Sequence, residues 1–288
     1  MSPLKIRPAA PEEQQPALQL LFVDLDPDEA QERKDEFWDS VTRGETLLDG
    51  LLVAELSGAL VGAGLFTTQP GRVAFVWPPG VAKHQKNRAE IQAAILKEIG
   101  RQMKALELCL GQVLLDPDDS SNRHLLEQNG FPHLTDLHYL LYTVSSTRPV
   151  EFSQELETET FHPIANSDRF EQILERTYIG TFDCPELDGL RTPQEALEAH
   201  RATGQFDPNR WWLVRHKGID AGLLLLNAHP DRDLLEIVYL GVVPEARRRG
   251  VGESLLRKAI AQAHQERRSL VLAVDERNRP ARNLYARL

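Results

Sequence analysis

Cysteine is scarce in this chain: Cys109 and Cys184 are the two in 288 residues. Two thiols cannot make a disulfide framework, and their number points to a reducing cytosol. No run of about 18 apolar residues occurs, so no membrane-spanning helix is expected. The first residues, MSPLKIRPAAPEEQQPALQLLF, carry acids where a signal peptide needs an apolar stretch, so no export signal is read and a cytoplasmic protein is expected. Cys and His nowhere fall at zinc-type spacing, so no metal is expected. Positive charge is also in short supply: the formal net charge is −10, which argues against nucleic acid as a partner.

What is present reads as globular, with 41% hydrophobic and 26% charged residues. Charge is distributed unevenly. Residues 1–145 hold 13 Lys and Arg against 21 Asp and Glu, whereas residues 146–288 hold 20 against 22. Residues 244–288 alone hold 11 basic against 5 acidic. This local basic patch opens with PEARRRGVG, residues 244–252.

The polar connector TVSSTRPV, residues 143–150, suggests two domains, 1–145 and 146–288. The halves repeat one another. VAFVWPPGVAKHQKNRAEIQAAILKEI (73–99) and DLLEIVYLGVVPEARRRGVGESLLRKAI (233–260) are each an apolar strand, a loop and an amphipathic helix. Ile95 falls on Leu256 and Ile99 on Ile260, an offset of 161, while Asp116 falls on Asp275 and Leu125 on Leu284, an offset of 159. A period this long means duplicated domains, not a solenoid.

In the second half, strands are expected at Thr160–Ile164, Trp211–Arg215, Ala221–Asn227, Leu234–Val243 and Leu270–Val274. Helices are expected at Arg169–Tyr178, Pro193–Ala202 and Gly252–Arg267, with a last one from Pro280. The class is mixed α/β. The strand at 234–243 is apolar apart from Glu236, as for a central strand covered on both faces.

A strand that runs through glycines into a helix start makes an anion site. The first helical amides lack intrahelical partners, and the helix dipole adds about half a positive charge. Gly250 and Gly252 allow close backbone approach, and Arg247, Arg248 and Arg249 offer donors suited to phosphate oxygens. A Walker loop is excluded for want of Gly-Lys-Ser/Thr, and a dinucleotide fingerprint by Leu255 at its third glycine. A solvated basic turn is the bland alternative.

Arg247-Arg248-Arg249-Gly250-Val251-Gly252, with VVP before it and VDERNRPARNLY after it, resembles the Q/R-x-x-G-x-G/A signature of the GNAT superfamily of N-acetyltransferases. The tandem arrangement resembles mycothiol synthase and its relatives. The resemblance implies two GNAT-like domains, each a mostly antiparallel central sheet flanked by helices. It implies acetyl-CoA as co-substrate, its pyrophosphate at Arg247–Gly252 and its pantetheine arm beside Leu240, Gly241, Val242 and Val243. A bulge is expected at Gly241, freeing backbone amides near Leu240–Val242 to polarise the thioester carbonyl.

In the first half the same positions hold other residues. Gly250 meets Ala89, Gly252 meets Ile91, Arg247 meets Lys86, Arg249 meets Arg88 and Tyr285 meets Leu126. An isoleucine there would block a phosphate, so the N-terminal domain is expected to be degenerate.

An amine acceptor is mostly protonated at neutral pH, so a general base is useful. Glu236 matches the base of related acetyltransferases and is expected to be desolvated, a structural carboxylate being the alternative. Tyr285 matches the tyrosine that faces the departing thiolate, a core aromatic being the alternative. Asn278 is expected to tie the strand before it to the cofactor or to the last helix. Cys184 offers a covalent route, but lacks an adjacent His.

For a small-molecule amine acceptor the candidates are Asp183, Arg191, His200 and Trp211, with loop-structuring or surface roles as the alternative for each. The chain stops at Leu288, so the second domain is expected to lack its final hairpin. Either the sequence is a fragment or the first half supplies a sheet edge. The expected function is direct acetyl transfer to a small amine in the C-terminal domain. The alternative is a non-catalytic acetyl-CoA-binding or interaction module.

Overall fold

The computed structural model describes residues 3–44, 46–144 and 156–287. It divides into two compact units, Met1–His133 and Leu134–Leu288. Most of the expected connector, from residue 145 onward, lies outside the described residues. The division falls upstream of it for a structural reason given below.

The first unit runs β1 (Lys5–Pro8), α1 (Gln14–Leu21), α2 (Pro27–Thr42), β2 (Leu51–Leu56), β3 (Ala59–Gln69), β4 (Val73–Val81), α3 (Arg88–Ala105), β5 (Leu110–Gln112) and α4 (Ser120–Gln128). Its five strands lie in sequence order, antiparallel except for the parallel pair β4–β5. Ile91, Ile95, Leu96 and Ile99 of α3 are buried in one apolar cluster, and Ala17, Leu18 and Leu21 of α1 in another.

The second unit runs β6 (Leu137–Tyr142), β7 (Leu156–Thr160), α5 (Ser167–Tyr178), α6 (Pro193–Ala202), β8 (Trp211–His216), β9 (Ile219–His229), β10 (Leu234–Val242), α7 (Val251–Glu266), β11 (Ser269–Asp275) and α8 (Arg279–Tyr285). The sheet order is β6-β11-β10-β9-β8-β7, with β10–β11 the parallel pair. The edge expected to be missing is filled by β6, which follows the first repeat and pairs with β11 from Tyr142↔Leu270 to Leu137↔Asp275. That pairing carries β6 into the second unit. A hydrogen bond of 3.0 Å between the Tyr142 hydroxyl and His264 Nε2 fastens it to α7.

β7 lies earlier than expected, and Ile164 is 92% exposed. Pro163 has no amide to give a ladder, and Asn166 closes a turn instead. Its Oδ1 accepts from the His162 amide at 2.7 Å and its Nδ2 donates to the Thr160 carbonyl at 2.9 Å.

Two features of this sheet position the site. Pairing between β10 and β11 covers Leu234–Glu236 and stops there, while β11 continues along β6. From Ile237 onward the β10 edge on that side has no strand partner among the described residues. Secondly, helices cover both faces. A side chain on Gly241 would meet Thr177 of α5, whereas the neighbouring Val242 lies toward Gly252 of α7. Successive strand residues face opposite ways, so α5 and α7 lie on opposite faces. Val251, Leu255, Leu256, Ala259, Ile260 and Ala263 bury the α7 stripe, on the order of 1.5–3 kcal/mol for each large side chain.

Candidate active site

The loop after β10 passes through a short turn at Pro244–Ala246 and enters α7. Gly250 is the N-cap with φ +81°, a conformation that glycine adopts without strain. Gly252 is different. A methyl group there would meet only Leu284 Cδ2 at 3.5 Å and Val242 Cγ2 at 3.8 Å, which are ordinary contacts. Its φ is not positive, so nothing among the described residues demands glycine there. Bare backbone at the first turn of α7 is what an approaching anion requires.

The three arginines divide their work. Arg247 is committed to the fold: its guanidinium donates to the carbonyls of Val242 (3.1 Å), Gly180 (3.0 Å) and Thr177 (2.9 Å), and its amide donates to Pro244. This corrects its expected role as a phosphate ligand. Arg248 and Arg249 are exposed and remain available. Val243 is likewise committed, buried with its amide donating to Ala221 O at 3.0 Å.

The bulge in β10 sits at Val238, not at Gly241. Ile237 pairs with Leu226 and Tyr239 with Leu225, leaving Val238 as the extra residue, while Gly241 keeps regular register with Leu223. Leu240, Gly241 and Val242 follow it on the unpaired edge.

Glu236 lies two residues before the bulge. Its side chain is 27% exposed, so it is not the desolvated carboxylate expected. Its Oε2 lies 2.6 Å from His229 Nε2. Sequence reasoning missed His229. Its signal lies in hairpin register, since Asn227 on β9 stands opposite Glu236 and His229 follows two residues later on the same face.

Tyr285, on α8, has its hydroxyl pushed above the ordinary tyrosine range by burial, then by the charge of Asp183. Asn278 caps the same helix, its Oδ1 accepting from the Ala281 amide at 3.2 Å, so it serves the last helix. Asp183 is tied to the end of β11, its Oδ1 accepting from the Asp275 amide at 2.9 Å, and burial raises its carboxyl. Cys184 has its thiol pushed up to about 12 by burial, then by Asp183 and Asp275. A protonated thiol is no nucleophile, which removes the covalent route.

Asp275 holds this loop in place. Its side chain is 0% exposed and accepts from the Cys184 amide (2.9 Å), the Arg277 amide (2.8 Å), Thr135 Oγ1 (2.8 Å) and the Arg277 guanidinium. Burial pushes the carboxyl up, but those hydrogen bonds outweigh it and hold it far below the usual range. Asp275→Ala strands several buried donors. It is expected to cost about 3 kcal/mol at pH 7, a fall in Tm of roughly 10 °C. A depressed pKa stabilises above the unfolded value of about 4 and loses its contribution as pH falls below it. The gap between variant and parent in thermal melts therefore narrows toward pH 3.

Two acceptor candidates fare differently from expectation. Trp211 is fully buried, its Nε1 donating to Asn227 Oδ1 at 2.9 Å and its ring edge-on to Phe206 and Phe161. It is a core residue, because β8 is an inner strand covered on both faces. His200, read as a helix-end surface group, has a buried Nε2 without a hydrogen-bond partner. Burial, then the charge of Arg191, pushes its pKa down to about 4, so the ring is neutral. It lies 5.3 Å from the ring of Tyr239, whose hydroxyl is 2.5 Å from Thr177 Oγ1. Tyr178 stands edge-on to Tyr239 and its hydroxyl is pushed up to about 12 by burial. The apolar strand pattern hid Tyr239, whereas Tyr178 stands out in the polar segment 177–200. Arg191 is half-buried nearby.

In the first unit, buried helix positions Ile91, Ile95, Leu96 and Ile99 correspond to Val251, Leu255, Leu256 and Ala259. The helices therefore align at an offset of 160, one less than the sequence comparison gave. Ile91 is fully buried core rather than a plug at a phosphate site. At this offset α3 begins where Arg248 stands in the second unit, and helix replaces the glycine loop.

A parallel strand pair that parts beside a bulge, and feeds a glycine loop at a helix start, is an acyltransferase-type arrangement. Comparison with known proteins agrees. Residues 168–288 match the acetyltransferase (GNAT) family, and the chain is an acyltransferase. A mycothiol acetyltransferase of Streptomyces griseus is 28% identical over 243 residues, covering 81% of this chain and 74% of its own. The fold is shared with a GCN5-related N-acetyltransferase from Sphaerobacter thermophilus (TM-score 0.58, 16% identity, 99% of this chain and 90% of that one). It is also shared with a tandem GNAT protein from the clavulanic acid biosynthesis pathway (TM-score 0.50, 13% identity, 99% and 94%). Among the described residues no helix is long and apolar enough to cross a membrane, and no cluster of His, Cys, Asp and Glu is arranged to hold a metal.

Proposed function

We propose that the second unit transfers an acetyl group from acetyl-CoA directly onto a small amine. The observation that carries this reading is Gly252: glycine where the fold does not require it, at the amides of a helix start, beside the unpaired edge of β10. The α7 amides, Arg248 and Arg249 would hold the pyrophosphate, and the free edge at Leu240–Val242 would hold the pantetheine arm. Glu236 takes the amine proton, and the tetrahedral oxyanion is met by backbone amides after the bulge. Tyr285 faces the departing thiolate. With its hydroxyl pushed up, it stabilises the thiolate by hydrogen bonding more readily than by giving up its proton. Arg191, neutral His200 and the Tyr178 hydroxyl lie on the acceptor side. The mycothiol acetyltransferase relative supports a small-molecule acceptor. A non-catalytic acetyl-CoA-binding module is the second reading, favoured by the partial exposure of Glu236.

The first unit is proposed to bind no acetyl-CoA, because helix occupies the place of its phosphate loop. Calorimetric titration of the full chain with acetyl-CoA is expected to give one site. Two sites would defeat the reading of the first unit, and none would defeat the reading of the glycine loop.

A further inference from the structure

The Glu236–His229 pair is built with more care than a surface ion pair. Partly exposed pairs contribute little to stability, commonly 0–1 kcal/mol, so stability alone does not account for it. Yet the His229 ring is pinned. Gly204, at φ +69°, packs directly on it, and a methyl group there would lie 2.8 Å from His229 Cε1 and 3.0 Å from Nε2. The segment carrying Gly204 is fixed in turn. Gln205 and Ala228 exchange two backbone hydrogen bonds of 2.7 and 3.1 Å, and Asn227 Nδ2 donates to the carbonyls of His200 and Thr203. The end of α6 thus clamps the shoulder of the β9–β10 hairpin and aims one imidazole nitrogen at one carboxylate oxygen.

We infer that His229 is a positioning residue for Glu236, setting the rotamer of the carboxylate through the 2.6 Å Nε2–Oε2 hydrogen bond. This rests on Glu236 being the base. An ionised carboxylate only accepts, so Nε2 carries the proton and Nδ1 is left as an acceptor. The bond leaves Oε1 free to meet the acceptor. Each turnover converts an ammonium and a thioester into an amide, a thiol and one proton. That proton leaves the amine for Oε1, and both side chains reach solvent, His229 being 28% and Glu236 27% exposed. The other ionisable groups on the bounding elements include Glu195, Glu198, His200 and Arg201 on α6, Tyr239 on β10, and Asp231, Arg232 and Asp233 in the hairpin turn. Of these, Asp233 is paired with Arg268 and His200 is neutral, so His229 is the direct partner that a variant removes.

His229→Phe keeps the ring volume without the donor, and His229→Gln restores a donor near Nε2. Transfer is followed in the full chain with the best acceptor among glucosamine, spermidine and benzylamine. There His229→Phe is expected to lower kcat roughly tenfold while leaving KM for the amine and acetyl-CoA affinity unchanged, and His229→Gln to recover most of the rate. An unchanged kcat in folded His229→Phe, a loss carried in KM instead, or no recovery in His229→Gln overturns the inference. Failure of the base reading looks different: Glu236→Gln itself retains full transfer rate.

Discussion

Gly252→Asp leaves the protein folded and abolishes acetyl-CoA binding, lowering affinity at least 10²-fold. The two halves of this expectation have opposite signs for a reason. Residue 252 is the second position of α7, where the fold accepts a side chain and an acidic group complements the helix dipole by about 0.3–1 kcal/mol. Replacing glycine also restricts the unfolded chain. Thermal stability is therefore expected to hold or rise. The same carboxylate stands where the proposed site receives the pyrophosphate, and two like charges about 5 Å apart near a protein surface repel by roughly 3 kcal/mol. Gly252→Asn separates charge from shape, since it fills the same volume and is expected to lose much less affinity. The difference between the two shrinks as salt screens the repulsion. Calorimetry of both variants at two ionic strengths decides the matter. Equal affinities for Asp, Asn and parent would leave the loop a solvated basic turn.

What the sequence revealed of this site is mostly local. The α7 helix lies at Val251–Glu266 against an expected Gly252–Arg267, and β10 at Leu234–Val242 against Leu234–Val243. Amphipathic spacing and glycine punctuation are properties of neighbours in the chain, and they read well. The misreadings concern partners distant in sequence. Bulge position depends on how β10 slides along β9, and no residue within β10 announces it; Gly241 was a reasonable guess that the register to Leu223 refutes. Trp211 was an acceptor candidate because the shared burial of Phe161, Phe206 and Asn227 around it spans some sixty-six residues. The helix offset failed because a residue gained between β9 and β10 is lost again before α7, so strands and helices of the two halves align differently. His229 and Gly204 carry no local pattern at all, and only the folded hairpin brings them to Glu236.

Glu236→Gln is expected to lower kcat/KM at pH 7 by about 10²-fold or more while sparing acetyl-CoA affinity. Glutamine keeps the shape and can still accept from His229 Nε2, so the clamp at the end of α6 need not move. What it cannot do is take a proton. An amine of pKa near 10 is about 99.9% protonated at pH 7, and freeing it costs roughly 4 kcal/mol, so the base contributes most where the amine is most fully charged. As pH rises the free amine appears without help. The variant's rate should therefore climb about tenfold per unit while the parent levels off, and the gap between them should close toward pH 10. A substrate-anchoring carboxylate would behave in the opposite way, with a deficit carried in KM that does not close as the free amine appears. Should the variant match the parent at pH 7, Glu236 is an ordinary strand carboxylate and the base is another group. The most direct replacement on the same face of the sheet would then be His229 acting through Nδ1, because the Nε2 side of its ring is already committed to residue 236.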